Sequence, residues 1–76
     1  MTIGEVARRV GIRASAVRYY EKRGIIPRPV RLRNGYRAYS NKSVKLLVLA
    51  VHTRSLGITL KEAKSIVDLL LANQSP

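Results

Sequence analysis

Cysteine is absent from this 76-residue sequence, which removes both a disulfide framework and any thiolate metal site. Histidine occurs once, at His52, and a lone histidine on a helix is more often packed or solvated than a ligand. Only four carboxylates are present, and they are scattered. Glu5 and Glu62 hold helix-capping positions, Glu21 sits among arginines, and Asp68 falls on a late helix, so no pair is placed for acid–base work. Ser15 has no base beside it. Gly35 and Gly57 serve turns, and no glycine loop of the phosphate-cradling kind occurs. An enzyme is therefore not expected, and neither is a cofactor. No apolar run approaches the roughly 18 residues of a membrane span, and nothing resembles a signal peptide. A cytoplasmic location, outside the membrane interior, is the resulting expectation. There are no internal repeats, and the length permits one domain with a thin core.

Positive charge is what the sequence has in surplus. Fifteen Lys and Arg against four Asp and Glu give a formal net charge of +11 and a pI near 11.2. A surplus this large repels itself in the folded state and attracts a polyanion. Ten of the fifteen are arginine, which favours bidentate contacts with phosphate or guanine. Charge alone leaves DNA, RNA and an anionic membrane open as partners.

The chain is organised around Val17-Arg18-Tyr19-Tyr20-Glu21-Lys22-Arg23-Gly24, a short cationic helix ending in a glycine stop. Ahead of it, Thr2-Ile3-Gly4-Glu5 has the form of a capping box. Ile3, Val6, Ala7 and Val10 then mark one helical face that closes at Gly11. The second helix begins at about Ala14 or Ser15, with Ser15 a candidate cap, and runs to Arg23. Two short helices joined by a tight, glycine-containing turn form a helix-turn-helix pattern over residues 1–24.

Residues 25–39 read as a wing. Ile25-Ile26 anchor it, Pro27-Arg28-Pro29 must be extended, and Asn34-Gly35 between two short runs signals a hairpin with a two-residue type I′ turn. That turn sets Leu32 opposite Arg37. It places Val30, Leu32, Arg37 and Tyr39 on one face, with Val30 and Leu32 packing against the helices. Residues 40–72 read as a helix pair. Ser40 caps the first, with Val44, Leu47, Val48 and Val51 as its buried stripe, and Leu56-Gly57 closes it. Thr59-Leu60-Lys61-Glu62 is a second capping box opening a helix with Leu60, Ala63, Ile66, Val67 and Leu70 on one face. Leu46, Leu49, Leu69 and Leu71 lie off these stripes and suggest a further surface. The fold class is α+β and mostly helical: a winged helix-turn-helix of four helices and a two-stranded β-hairpin.

Basic groups outnumber carboxylates nearly four to one, so most cations, Arg18 included, go without an internal partner. Adjacent Tyr19 and Tyr20 cannot point the same way on a helix, so one packs and the other offers its hydroxyl outward. Arg13 and Ser15, near the helix N-terminus, are candidates for base readout. Arg18 and Tyr19, with the surrounding Lys22 and Arg23, suggest a backbone-gripping cluster. Arg37 is the leading wing candidate, with Arg31 and Arg33 as supporting charge. For Tyr36 and Tyr39, cross-strand packing and backbone contact stand about even.

The order and spacing of these motifs resemble the DNA-binding domain of the MerR family of bacterial transcription regulators. The match runs through Ile3-Gly4-Glu5-Val6-Ala7, Arg18-Tyr19-Tyr20-Glu21, Gly24-Ile25-Ile26-Pro27, Gly35-Tyr36-Arg37-Ala38-Tyr39-Ser40 and Leu56-Gly57-Ile58, over residues 2 to about 71. The resemblance implies a winged helix-turn-helix whose second helix enters the major groove of double-stranded DNA, with wing and helix pair on the flanking backbone. It implies DNA contacts from Arg18, Tyr19, Arg37, Tyr36 and Tyr39, with Tyr20 partly buried. Family members bind palindromic promoter operators as dimers and distort the DNA so that RNA polymerase can engage both promoter elements. RNA polymerase is thus an indirect partner, and a homodimer is expected only of a full-length protein. The sequence departs from the family in two ways. Arg13 replaces the usual small polar cap, and the dimerising coiled coil and effector domain that follow in the family are absent from residues 1–76. An excisionase-like architectural DNA-binding factor, or a basic RNA-binding module, are the alternatives.

Overall fold

The computed structural model describes residues 1–35 and 37–73. In chain order it contains α1 (Ile3–Val10), α2 (Ala14–Lys22), β1 (Val30–Arg31), β2 (Arg37–Ala38), α3 (Asn41–Ser55) and α4 (Leu60–Asn73). The expected class is met: four helices and one antiparallel two-stranded hairpin.

Local chemistry sets the helix ends. The Thr2 hydroxyl accepts from the Glu5 amide at 3.2 Å, and the Ser40 hydroxyl accepts from the Ser43 amide at 3.3 Å. Thr59 and Glu62 form the reciprocal pair, each side chain accepting the other's backbone N–H at 3.2 Å. The bonds from the Thr59 hydroxyl and backbone hold the Glu62 carboxyl below the usual carboxylate range. The second helix is the exception. It starts at Ala14 with Arg13 at the cap position and no side-chain hydrogen bond. Ser15 already lies inside the helix and does not cap it.

The core is assembled from every helix. Val6, Val17, Ile25, Leu47 and Val67 are fully enclosed, and Ala7, Tyr20, Ile26, Tyr39, Leu46 and Ala50 complete the cluster. The first helix packs on both α2 and α3, and α3 packs on α4. The Ile25-Ile26 pair carries the chain from α2 into this core, as its apolar character requires.

Three expectations about packing are corrected. On α3 the buried positions are Ser43, Leu46, Leu47, Ala50 and Thr53, while Val48 is exposed, so the core-facing arc is turned by about one residue. On α4, Leu70 is exposed. The off-stripe leucines do not form one surface: Leu46 is core, Leu49 and Leu71 pack against the core, and Leu69 alone is largely exposed.

The hairpin is a further correction. Its register pairs Val30 with Ala38 and Arg31 with Arg37, whereas a two-residue turn at Asn34-Gly35 would set Arg31 opposite Ala38. The Gly35 amide donates to the Leu32 carbonyl at 2.9 Å, closing a four-residue turn. Only Gly35 takes a left-handed conformation there (φ 84°), while a type I′ turn needs positive φ at Asn34 as well. The turn is thus one residue longer than expected, and a shift of one residue exchanges the two faces of a strand. Val30 and Leu32 accordingly stand 69% and 49% exposed instead of packing on the helices.

Candidate nucleic-acid interface

The second helix presents its buried and exposed sides as its sequence dictates. Val17 and Tyr20 enter the core, and Arg18, Tyr19 and Lys22 face outward. The Tyr19 ring meets Tyr20 edge-on, with centroids 5.8 Å apart at 69°. The Arg23 guanidinium lies over the Tyr19 face at 5.8 Å. These contacts fix the direction of an exposed phenol without burying it.

The sequence-derived candidates fall into two grooves, one on each side of α2. The larger, of about 610 Å³, gathers Arg18, Lys22, Arg31 and Arg37 around Glu21, and also takes in Arg28 and Pro29. It lies between α2 and the wing. The other, of about 590 Å³, gathers Arg13, Ser15 and Tyr19 with Arg54. Arg33 stands exposed in the wing turn, outside both. The Tyr36 candidate lies outside the described residues.

Tyr39 is a correction. Its ring is 3% exposed, and its hydroxyl donates to Glu21 Oε1 at 2.8 Å, so it is a core residue rather than a displayed contact. Burial, and then the bond to the Glu21 carboxylate, push its phenol above the usual value near 10, with the Arg37 guanidinium acting the other way. The physical reason is position: Tyr39 follows β2 and turns inward where the chain re-enters the core. Its backbone is tied down too, with the Tyr39 amide donating to the Met1 carbonyl at 2.7 Å and the Met1 ammonium donating to the Tyr39 carbonyl at 2.9 Å.

Among the described residues, only two cations pair with a carboxylate: Arg37 with Glu21 at 3.8 Å, and Lys64 with Asp68 at 3.1 Å. Glu21 thus serves Arg37 and not Arg18. Arg18, Lys22, Arg28 and Arg31 line their groove without a counter-charge of their own.

Several basic residues of this surface were not singled out from sequence. Arg28 enters the groove because Pro27 and Pro29 hold its backbone extended, and that signal was legible. Lys61 and Lys64 meet Lys22 and Arg23 in a third depression between the end of α2 and the start of α4. No local pattern announces this meeting, because it depends on how α4 packs. Among the described residues, no group of three His, Cys, Asp or Glu comes together in a way that could hold a metal. Among the described residues, no helix is long and apolar enough to cross a membrane.

A basic helix exposed beside a cationic hairpin defines a winged helix-turn-helix domain. Residues 1–70 match the family described as MerR HTH family regulatory protein, and the chain belongs to that family. The HTH-type transcriptional regulator CueR of Salmonella typhi is 38% identical over 69 residues, an alignment spanning 91% of this chain and 50% of that protein. The lead(II) complex of the transcription regulator PbrR691 from Ralstonia metallidurans superposes with a TM-score of 0.88 at 26% identity, covering 100% of this chain and 59% of that one. HiNmlR, a MerR family regulator lacking the sensor domain and bound to promoter DNA, gives a TM-score of 0.83 at 28% identity, with 95% and 55% covered. The chain spans about half the length of the curated relatives it matches. These relatives are named as transcription regulators, and they favour neither the excisionase-like nor the RNA-binding alternative.

Proposed function

We propose that residues 1–76 form the DNA-binding domain of a MerR-type transcriptional regulator, with α2 entering the major groove of duplex DNA. The observation that carries this reading is the pair of cationic grooves flanking α2, whose charges have so few internal partners. A helix fits the major groove of B-form DNA, and A-form RNA denies that entry. Arg18, Lys22, Arg31, Arg33 and Arg37 serve as phosphate contacts. Arg13 and Ser15, at the start of α2, address base edges, and Tyr19 offers its hydroxyl to the backbone. Arg28 joins the phosphate set on the strength of its place in the groove.

For the whole regulator, the proposal is a dimer on a two-fold operator that distorts promoter DNA, so that RNA polymerase is reached through the DNA. Action at the nucleoid in the cytoplasm follows. The naming of the relatives as transcription regulators, one of them bound to promoter DNA, supports this scale of the reading.

Competition between duplex DNA and structured RNA, each across a salt series, tests the proposal. Duplex is expected to win, with a slope of log K against log salt of roughly −5 for six phosphate contacts. Equal affinity for both, or no salt dependence, overturns it.

A further inference from the structure

Glu21 is the one acidic side chain in a groove that otherwise gathers Arg18, Lys22, Arg28, Arg31 and Arg37. A negative charge there repels the phosphates that its neighbours attract, so its presence calls for a physical reason. The contacts of the carboxylate supply one. Oε1 accepts the Tyr39 hydroxyl at 2.8 Å, across 18 positions of sequence. The same oxygen lies 3.8 Å from Arg37 Nη1, within reach of charge attraction and too far for a hydrogen bond.

The wing has little else to hold it. Each strand of its ladder is two residues long, and a hairpin this short is marginal by itself. Val30 and Leu32 are exposed, so these two described apolar residues of the hairpin do not bury themselves against the helices. Arg31 and Arg37 are direct cross-strand partners of like charge, an arrangement that pushes the strands apart. Ile25 and Ile26 tie the start of the wing to the core, and its far end is tied by Tyr39, anchored by its buried ring, its backbone bonds to Met1 and its hydroxyl on Glu21.

We propose that Glu21 is a positioning residue that locks the wing to the recognition helix and holds Arg37 in a fixed relation to Arg18 before DNA arrives. This rests on the duplex-DNA reading of the groove. Its effect is preorganisation: a guanidinium already held in place loses less freedom when it meets a phosphate.

The proposal carries an unusual sign. Glu21→Ala removes a negative charge from the DNA-facing side, and simple Coulomb attraction predicts tighter binding. Preorganisation predicts the opposite, with duplex affinity weakened roughly three- to tenfold. In an Arg37→Ala background the guanidinium that Glu21 orients is gone while its repulsion of phosphate and its bond to Tyr39 remain, so the same Glu21→Ala change is expected to cost less affinity or to reverse to a gain. A general loss of stability would not depend on Arg37 in this way. Glu21→Gln keeps an acceptor for Tyr39 and removes the charge, and it is expected to bind no more tightly than the parent. In the free protein, backbone ¹⁵N relaxation of Arg37 and Ala38 should show greater mobility in Glu21→Ala, with Val6 and Leu47 unchanged. The proposal is overturned if Glu21→Ala or Glu21→Gln binds duplex more tightly than the parent, or if the wing relaxes as before. A parent protein without salt-dependent duplex affinity would overturn the DNA reading instead, and the relaxation measurement would still decide the place of Glu21.

Discussion

Arg31 and Arg37 face each other across the wing as paired residues of the ladder. Two guanidinium groups opposed in this way weaken a hairpin and strengthen an anion site, so stability and binding pull in opposite directions at one position. Arg31→Thr puts a strand-favouring residue opposite Arg37. It should stabilise the hairpin by roughly 0.2–1 kcal/mol, read as slower local opening in hydrogen exchange. The same change should make the salt slope of duplex binding shallower by about 0.9, the increment of one phosphate contact. Loss of hairpin stability in this variant would show that the opposed arginines are not a source of strain.

Arg18 separates backbone grip from base readout. As a phosphate contact, its replacement by Ala should weaken binding to a duplex enriched from a random pool and to a scrambled duplex by similar factors. The salt slope should again fall by about 0.9. A loss of roughly 1–3 kcal/mol confined to the enriched duplex would instead make Arg18 a reader of guanine. Arg13→Ala and Ser15→Ala, measured in parallel, should show the sequence-confined loss.

The wing turn makes Gly35 and Asn34 unequal. Gly35→Ala places a side chain in the left-handed region at a cost of roughly 1–2 kcal/mol. That cost is entirely in the backbone, since a β-carbon there meets nothing within 4 Å. At Asn34 the backbone conformation is ordinary for an L-residue, so Asn34→Ala should impose no such backbone penalty. Backbone chemical shifts of Arg37 and Ala38 in the two variants measure the hairpin population. Equal loss in both would restore the two-residue type I′ turn.

Tyr39 gives the fold an alkaline limit. Its phenol is raised by burial and by the Glu21 carboxylate, so the neutral form is the one the folded state favours. The stability it contributes is therefore complete below the ordinary tyrosine value and is lost as pH rises through the higher folded value. The difference in urea midpoint between the parent and Tyr39→Phe should shrink or change sign between about pH 9 and 12. A difference constant across that range would remove Tyr39 from the titrating groups that matter.

Helix ends were legible in the sequence wherever one residue's side chain caps a neighbour three positions on, as at Thr2, Ser40 and Thr59. Arg13 and Ser15 were not, because a helix whose first turn lacks a side-chain cap leaves no local mark at its start. The arc of α3 could not be chosen from periodicity, since Val44 to Val51 is apolar almost all the way round. Its orientation is set by its packing against α1 and α4, which no pattern within the helix itself encodes. The hairpin was legible as a hairpin from Asn34-Gly35, and its register was not. One positive φ instead of two changes which side chains share a face, and both turns accept the same dipeptide. The separation of Tyr20 from Tyr19 followed from helical geometry alone. The inward turn of Tyr39 depends on Glu21, 18 positions earlier, and no spacing rule connects them.

The scarcity of internal counter-charge also bears on handling and on the cell. With fifteen basic side chains and two ion pairs among the described residues, the free domain is a compressed cloud of like charge. Simple salt relaxes that compression by screening it, while a polyanion relaxes it by binding the folded form. Raising the salt therefore hardens the solitary domain against heat and loosens its complex with DNA. On the duplex-DNA reading, such a domain is completed by its partner: the nucleic acid supplies the anions that these residues do not, and the folded state is expected to be most durable when occupied.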